Sequence, residues 1–311
     1  MVMIDNSYGV CFMSKVLAKY RNGNYDVMLF ENGTKIRVTK DDEFMPEFPE
    51  SIDVKITSKC DGNCSFCYEN CTPAGEHGDI LNAKWVDSLH SGTELALNGN
   101  DMSHPDLIPF LEKLKSMRII ANLTVNQKHF EKHFNTLKDL SDRGLIHGLG
   151  VSLVNPTDDF IWSVKQIPNT VIHTINGILT KEQVEKLSYK DLKILILGYK
   201  RLERGVNYLQ VYGDRVAENQ MWLHDNLKDM MNHFKVVSFD NLALDQLNVR
   251  RLLTDEEWDQ FFMGDDAKFT YYLDAVDGTF SRSSLTSRED RYPIDDKTVN
   301  EMFKVIREKG V

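Results

Sequence analysis

Cys60, Cys64 and Cys67 stand as C-x-x-x-C-x-x-C directly after an alternating apolar run at residues 51–57. This spacing suits three thiolates converging on one face of an iron–sulfur cube from a loop at the end of a strand. Three ligands to a four-iron cluster leave one iron without protein coordination, free to take a further molecule, which points to chemistry rather than electron carriage alone. Rival metals must be weighed. Cys71 follows closely, so a four-thiolate zinc knuckle is conceivable. Zinc sites usually pair two short knuckles separated by a longer stretch, and a second knuckle is lacking here. The run through Cys71 and Pro73 also has something of a bacterial ferredoxin, but no cysteine follows position 71 to build its second cluster. A disulfide framework does not suit a chain of this length with five cysteines and no secretory signal.

The segment Cys60-Asp61-Gly62-Asn63-Cys64-Ser65-Phe66-Cys67-Tyr68 resembles the signature of the radical S-adenosylmethionine enzymes, including the aromatic residue before the third cysteine. The resemblance implies one 4Fe-4S cluster that chelates the methionyl amino and carboxylate groups of S-adenosylmethionine at its open iron. Electron transfer, from a donor such as flavodoxin or ferredoxin, then cleaves the sulfonium to methionine and a 5′-deoxyadenosyl radical. That radical abstracts a hydrogen from the substrate, while the protein supplies position and exclusion of water.

The resemblance also assigns cofactor contacts. Asn98-Gly99-Asn100, followed by His104-Pro105-Asp106-Leu107, resembles the family's Gly-Gly-Glu segment, which binds the methionyl ammonium. Asparagine replaces both the first glycine and the glutamate. The neutral Asn100 still accepts from an ammonium through its carbonyl but loses charge assistance. Phe66 is expected beside the adenine, and Ser152 and Asn155 near the ribose and carboxylate. Ile175, in Ile175-Asn176-Gly177, fits part of the fifth-strand adenine motif, although Thr180 stands where its acidic residue would be. Gly198 ends the sixth strand, where the family approaches the adenine through backbone. For the substrate, the candidates are Tyr199, Lys200 and Arg204 after that strand, and Asp240 and Asn241 after a seventh. Arg282 among serines and His77 beyond the cysteine loop have weaker claims. His90, His129 and His173 are given no role. A non-catalytic zinc- or iron–sulfur-binding interaction protein is the alternative from another class.

These residues need a scaffold, and the pattern supplies one. From residue 51 candidate strands at 51–57, 94–98, 119–125, 148–154, 170–176 and 193–198 alternate with helical stretches such as 80–90, 105–117 and 128–143. Such β–α units predict parallel strands with helical crossovers. The expected fold is α/β: a partial (β/α)6 TIM-like barrel whose active site gathers at the C-terminal strand ends. Residues 1–49 read as a small N-terminal β appendage, with strands at 10–19, 25–30 and 35–39 and turns at Asn22-Gly23-Asn24 and Glu31-Asn32-Gly33. It lacks the helices of a leader-peptide-capturing winged helix. Met45-Pro46-Glu47-Phe48-Pro49 marks the boundary. Residues 50–235 form the core and 236–311 an α+β extension over the barrel, with a strand at 236–244, a helix at 255–262, a hairpin around Asp277-Gly278 and a final helix at 295–308.

The chain has 311 residues, 37 basic against 47 acidic side chains, and a formal charge of −10. That balance argues against unaided binding to nucleic acid or an anionic membrane. No apolar run approaches the roughly 20 residues needed to cross a bilayer. A cytoplasmic, reducing setting is expected, as an oxygen-sensitive cluster requires. Cys11 and Cys71 are the only spare thiols, too few for an auxiliary cluster.

Overall fold

The computed structural model describes residues 2–5 and 15–309. Its strands are β1 (Val2–Asp5), β2 (Val16–Asn22), β3 (Tyr25–Phe30), β4 (Lys35–Val38), β5 (Ser51–Lys55), β6 (Glu94–Asn100), β7 (Ile120–Asn126), β8 (Gly148–Ser152), β9 (Thr170–Ile175), β10 (Lys193–Leu197), β11 (Val236–Phe239), β12 (Thr270–Asp274), β13 (Thr279–Ser281) and β14 (Tyr292–Pro293). Eleven of them form one sheet in the order β1-β11-β10-β9-β8-β7-β6-β5-β12-β13-β14, an open sheet with two ends. Every neighbouring pair from β12 through β5 to β11 runs parallel. The fold is therefore mixed α/β around a large parallel sheet, and each strand from β5 to β11 lies beside its predecessor. Helices carry the crossovers between them, among them Leu107–Ser116, Asp158–Val164, Lys181–Leu187 and Arg204–Met230. Their apolar stripes, such as Phe110, Leu111 and Leu114, pack with Leu95, Leu97 and Leu123 of the sheet into one core.

All six strands expected between 51 and 198 are present. The stretch 236–244 is divided, because β11 stops at Phe239 and Asp240 caps a helix, Asn241–Leu247, by accepting from Ala243 N at 2.7 Å. An Asx side chain at that position competes with strand pairing and favours a helix start. Only Lys84–Asp87 is helical within 80–90, since Asp79 Oδ1 turns the chain by accepting from Leu81 N and Asn82 N. The helical spacing of Met221, Leu223, Leu227 and Met230 belongs to the later part of a longer helix, Arg204–Met230, which bends at Tyr212, whose backbone is non-helical. The C-terminal hairpin joins the main sheet, with β12 parallel to β5 and antiparallel to β13.

β2, β3 and β4 make a separate antiparallel sheet, while part of the expected strand at 10–19, including Cys11, lies outside the described residues. Gly23 turns the first hairpin at φ 58, and a Cβ there would overlap the Met45 carbonyl. Glu50 ties this small sheet to the large one. It accepts from Tyr25 Oη at 2.7 Å and Arg37 Nε at 2.7 Å, and it pairs with Lys35 Nζ at 3.2 Å. Lys35 also reaches Glu94 at 2.6 Å. Burial alone would push the Glu50 carboxyl up, but the Lys35 and Arg37 cations outweigh it and hold it below the usual carboxylate range. Among the described residues no helix is long and apolar enough to cross a membrane.

Candidate functional site

The cysteine loop leaves the C-terminal end of β5 and is folded back by two bridges, Thr57 with His77 and Lys59 with Thr72. Cys60 N donates to Thr72 O at 2.9 Å and Thr72 N to Ser58 O at 3.1 Å, so the loop is clamped at its base. Asn63 and Asn70 take positive φ at 49° and 55°, a conformation asparagine tolerates better than most residues. Cys67 N donates to Cys64 O at 3.2 Å, curling the middle of the loop into a turn.

The three thiols are half-buried, and donors face two of the sulfurs. Gly62 N lies 3.3 Å from Cys60 Sγ, and Asn126 Nδ2, at the end of β7, lies 3.7 Å from Cys64 Sγ. Burial pushes the Cys60 and Cys64 thiols up, and each feels the charge of its cysteine neighbours. Cys67 is drawn down to about 5, chiefly by a hydrogen bond from Cys71, whose own thiol is pushed up by donating it. Among the described residues no three His, Cys, Asp or Glu side chains stand together in a metal-holding arrangement. The donor set nevertheless fits an iron–sulfur cluster: three thiols on one loop, within reach of each other's charge, with N–H groups directed at sulfur.

Beside this loop the C-terminal ends of the parallel strands enclose a cavity of about 340 Å³. Phe66, Asn98, Ile175, Gly198, Tyr199, Lys200, Asp240 and Asn241 all line it. The Phe66 ring meets Tyr208 edge-on, with centroids 5.7 Å apart. Gly198 N donates to Asp240 Oδ1 at 2.8 Å, and a Cβ at Gly198 would overlap Leu242. Lys200 Nζ sits 2.8 Å from Ser284 Oγ and 3.8 Å over the Tyr68 ring, and burial lowers its pKa. Asn241 Nδ2 donates to Asp266 Oδ1 at 2.7 Å. Tyr199 is packed into the wall, its hydroxyl donating to Gly205 O at 2.8 Å.

Asn98 and Asn100 stand at the end of β6, against the loop. Asn98 Oδ1 accepts from Ile56 N at 2.8 Å and Asn98 Nδ2 donates to Glu69 at 3.0 Å. Asn100 Nδ2 donates to Thr57 O at 3.1 Å. Gly99 packs on Leu123, with no room for a Cβ. Ser152 and Asn155 are not among the cavity's lining residues. Ser152 ends β8, and the backbone of Asn155 is bound by the Gln127 side chain, which donates to Asn155 O at 2.7 Å and accepts from its N at 2.8 Å. Thr180 forms a capping box with Gln183 at the start of Lys181–Leu187, which accounts for threonine at that position. His77 Nδ1 lies 2.9 Å from Thr57 Oγ1 at the base of the loop.

Several residues that the sequence did not single out reach the site. Asp53 projects from β5 into the open cavity and stays exposed there, and the protein crowded around it pushes its carboxyl up to about 6 against the pull of Lys200. Glu69, Asp266 and Tyr272 line the same space. His173 lines it too, and burial lowers its pKa to about 4, leaving it neutral. His129 Nε2 lies 2.9 Å from Asp61 in the cysteine loop. The strand alternation that places Asp53 opposite Ile52 and Val54 was a usable signal. Nothing local signals the His129–Asp61 contact.

No family model matches the chain, and no curated protein sequence matches it. Solved structures do. Streptococcus suis SuiB bound to S-adenosylmethionine superposes with a TM-score of 0.56 at 11% identity, covering 91% of this chain and 84% of SuiB. SuiB alone gives 0.55 at 11% identity, covering 92% and 86%. SuiB bound to its precursor peptide SuiA gives 0.54 at 14% identity, covering 83% and 65%. Over most of its length, this chain is therefore similar in fold to SuiB, a protein solved with S-adenosylmethionine and with a precursor peptide.

Proposed function

We propose that this chain is a radical S-adenosylmethionine enzyme, with one 4Fe-4S cluster on Cys60, Cys64 and Cys67 and a partial barrel of β5 to β10 around the cofactor. The observation that carries this reading is the position of the three thiols, on a loop that opens beside the cavity at the C-terminal strand ends. When bound, the cluster and S-adenosylmethionine supply a 5′-deoxyadenosyl radical for hydrogen abstraction. The protein's own part is placement. Asn100 Oδ1, which accepts no hydrogen bond among the described residues, is available to the methionyl ammonium. Phe66 offers a ring face near the adenine, and Gly198 lets the ligand approach β10 closely. Ile175 completes the cofactor side of the cavity in this reading, whereas Ser152 and Asn155 lie outside its lining. Lys200, Asp240, Asn241 and Tyr199 wall the substrate side.

SuiB's complex with a precursor peptide supports counting a peptide residue among the substrate classes, beside a small metabolite or nucleotide. A flavodoxin or ferredoxin would deliver the electron in a cytoplasmic setting. The Cys71–Cys67 contact favours one rival, a four-thiolate zinc site in a non-catalytic interaction protein. Anaerobic reconstitution with iron and sulfide separates them. The proposal expects about four irons and four sulfides per chain, with a spectrum that S-adenosylmethionine alters. One tightly held zinc and no cluster would refute it.

A further inference from the structure

The long helix Arg204–Met230 begins against the cysteine loop, and its first residue is the point of attachment. Arg204 Nη2 donates to Cys71 O at 2.7 Å and Nη1 reaches Asn63 Oδ1 at 3.4 Å, so one guanidinium spans both ends of the Cys64–Cys67 turn. Among the described residues its buried Nε has no hydrogen-bond partner, and the group adjoins the Cys67 thiol. The chain takes trouble to bring it there. Glu203 just before it holds φ 46°, outside the usual range for a side chain of that size. Gly205 just after it lies where a Cβ would stand 2.5 Å from Lys200 O and 3.7 Å from Phe66 O. The Tyr199 hydroxyl and the Phe66–Tyr208 ring pair fasten the same junction. A buried N–H without an acceptor is costly, and an anionic, sulfide-rich group on Cys67 would supply one.

We propose that Arg204 is a positioning residue that pins the cysteine loop to this helix and places a permanent positive charge beside Cys67, raising the reduction potential of the cluster held there. The proposal rests on the cluster reading above. Arginine does not lose its proton in proteins, so the charge is fixed. A cation close to a cluster favours the more negative, reduced state, and hydrogen bonds to sulfur act in the same direction. None of this requires Arg204 to touch the substrate.

The test is a spectroelectrochemical titration of the anaerobically reconstituted wild type, Arg204→Met and Arg204→Lys, with iron and sulfide counted in each. Arg204→Met should shift the reduced-to-oxidised ratio at a given potential about tenfold toward oxidised, a fall of about 59 mV for a one-electron couple. Arg204→Lys keeps the charge and should stay near wild type in potential, although it loses the fork that joins Asn63 to Cys71. Failure of both variants to load iron, with unchanged circular dichroism and melting, would support the pinning role instead. Wild-type iron content together with an unchanged or raised potential in Arg204→Met overturns the proposal alone. A wild-type chain that takes up no iron refutes the cluster reading beneath it and the proposal with it.

Discussion

At Asn98 and Asn100 two amides stand where the resembled family has glycine and glutamate, and the structure gives them different work. Asn98 spends its oxygen on Ile56 N and its amide on Glu69, while Asn100 keeps Oδ1 open. An ammonium leaving water for a dry pocket needs an oxygen in place of each lost water contact. Asn100→Leu should therefore weaken S-adenosylmethionine binding by about 1–3 kcal/mol, and Asn100→Asp should hold or strengthen it. Calorimetry under argon measures both, and unchanged affinity in the leucine variant would reduce this segment to a structural turn. Cys71 is the second residue to try. It is buried, its Sγ donates to Glu69 Oε2 at 3.9 Å and Asn100 Nδ2 approaches it at 3.5 Å, so side chains of the site already occupy it. Cys71→Ala should keep its full iron content, whereas Cys60→Ala, Cys64→Ala and Cys67→Ala should each lose it; equal loss in all four would point to a four-thiolate site. The cysteine motif was legible because its parts lie within eight residues of one another. Arg204 and Asn63 meet across 141 residues, and the sequence placed Arg204 with the substrate instead.

Elements were legible wherever periodicity was strong and cap chemistry agreed with it. The six strands from β5 to β10 are such cases, as is the helix Asp255–Phe261, with its Thr254–Glu257 capping box. The reading failed where a side chain competed with the backbone, as Asp79 does before residue 84 and Asp240 after β11. Two predictions belong at this scale. Gly198→Ala drives a methyl into Leu242 and should cost about 1–3 kcal/mol through overpacking between β10 and Asn241–Leu247, read as a lowered denaturation midpoint. Glu50→Gln leaves Lys35 and Arg37 partly unpaired where the small sheet meets the large one, and should cost roughly 3–5 kcal/mol. The Glu50 carboxyl is held below its ordinary range, so its contribution is present above that range and is lost as the pH falls through the lowered value. Acid titration should loosen the wild type at this junction, and a Glu50→Gln chain with the same acid sensitivity would contradict that assignment.

For the whole molecule, the alternation of strands and helices foretold a parallel sheet, and the structure extends that sheet on both sides. β11 and β1 continue one edge, and β12, β13 and β14 the other. The short strand β12 was visible in the sequence, but its pairing with β5 was not, because nothing in a strand names a partner more than two hundred residues away. That pairing brings Tyr272 to the cavity and places Asp274 against Lys55 at 2.8 Å. The scaffold thus collects residues of β5, β6, β7, β9, β10 and β12, with Asp240 and Asn241 just after β11, around one opening. The central claim is that this opening fragments S-adenosylmethionine. The direct measurement is chromatography with mass detection on the reconstituted, reduced protein incubated with S-adenosylmethionine alone. The account predicts 5′-deoxyadenosine and methionine in equal amounts, even if slowly formed, and neither from a chain with Cys60, Cys64 and Cys67 all replaced by alanine. Absence of both products while the cluster is demonstrably reduced and S-adenosylmethionine is bound would contradict it.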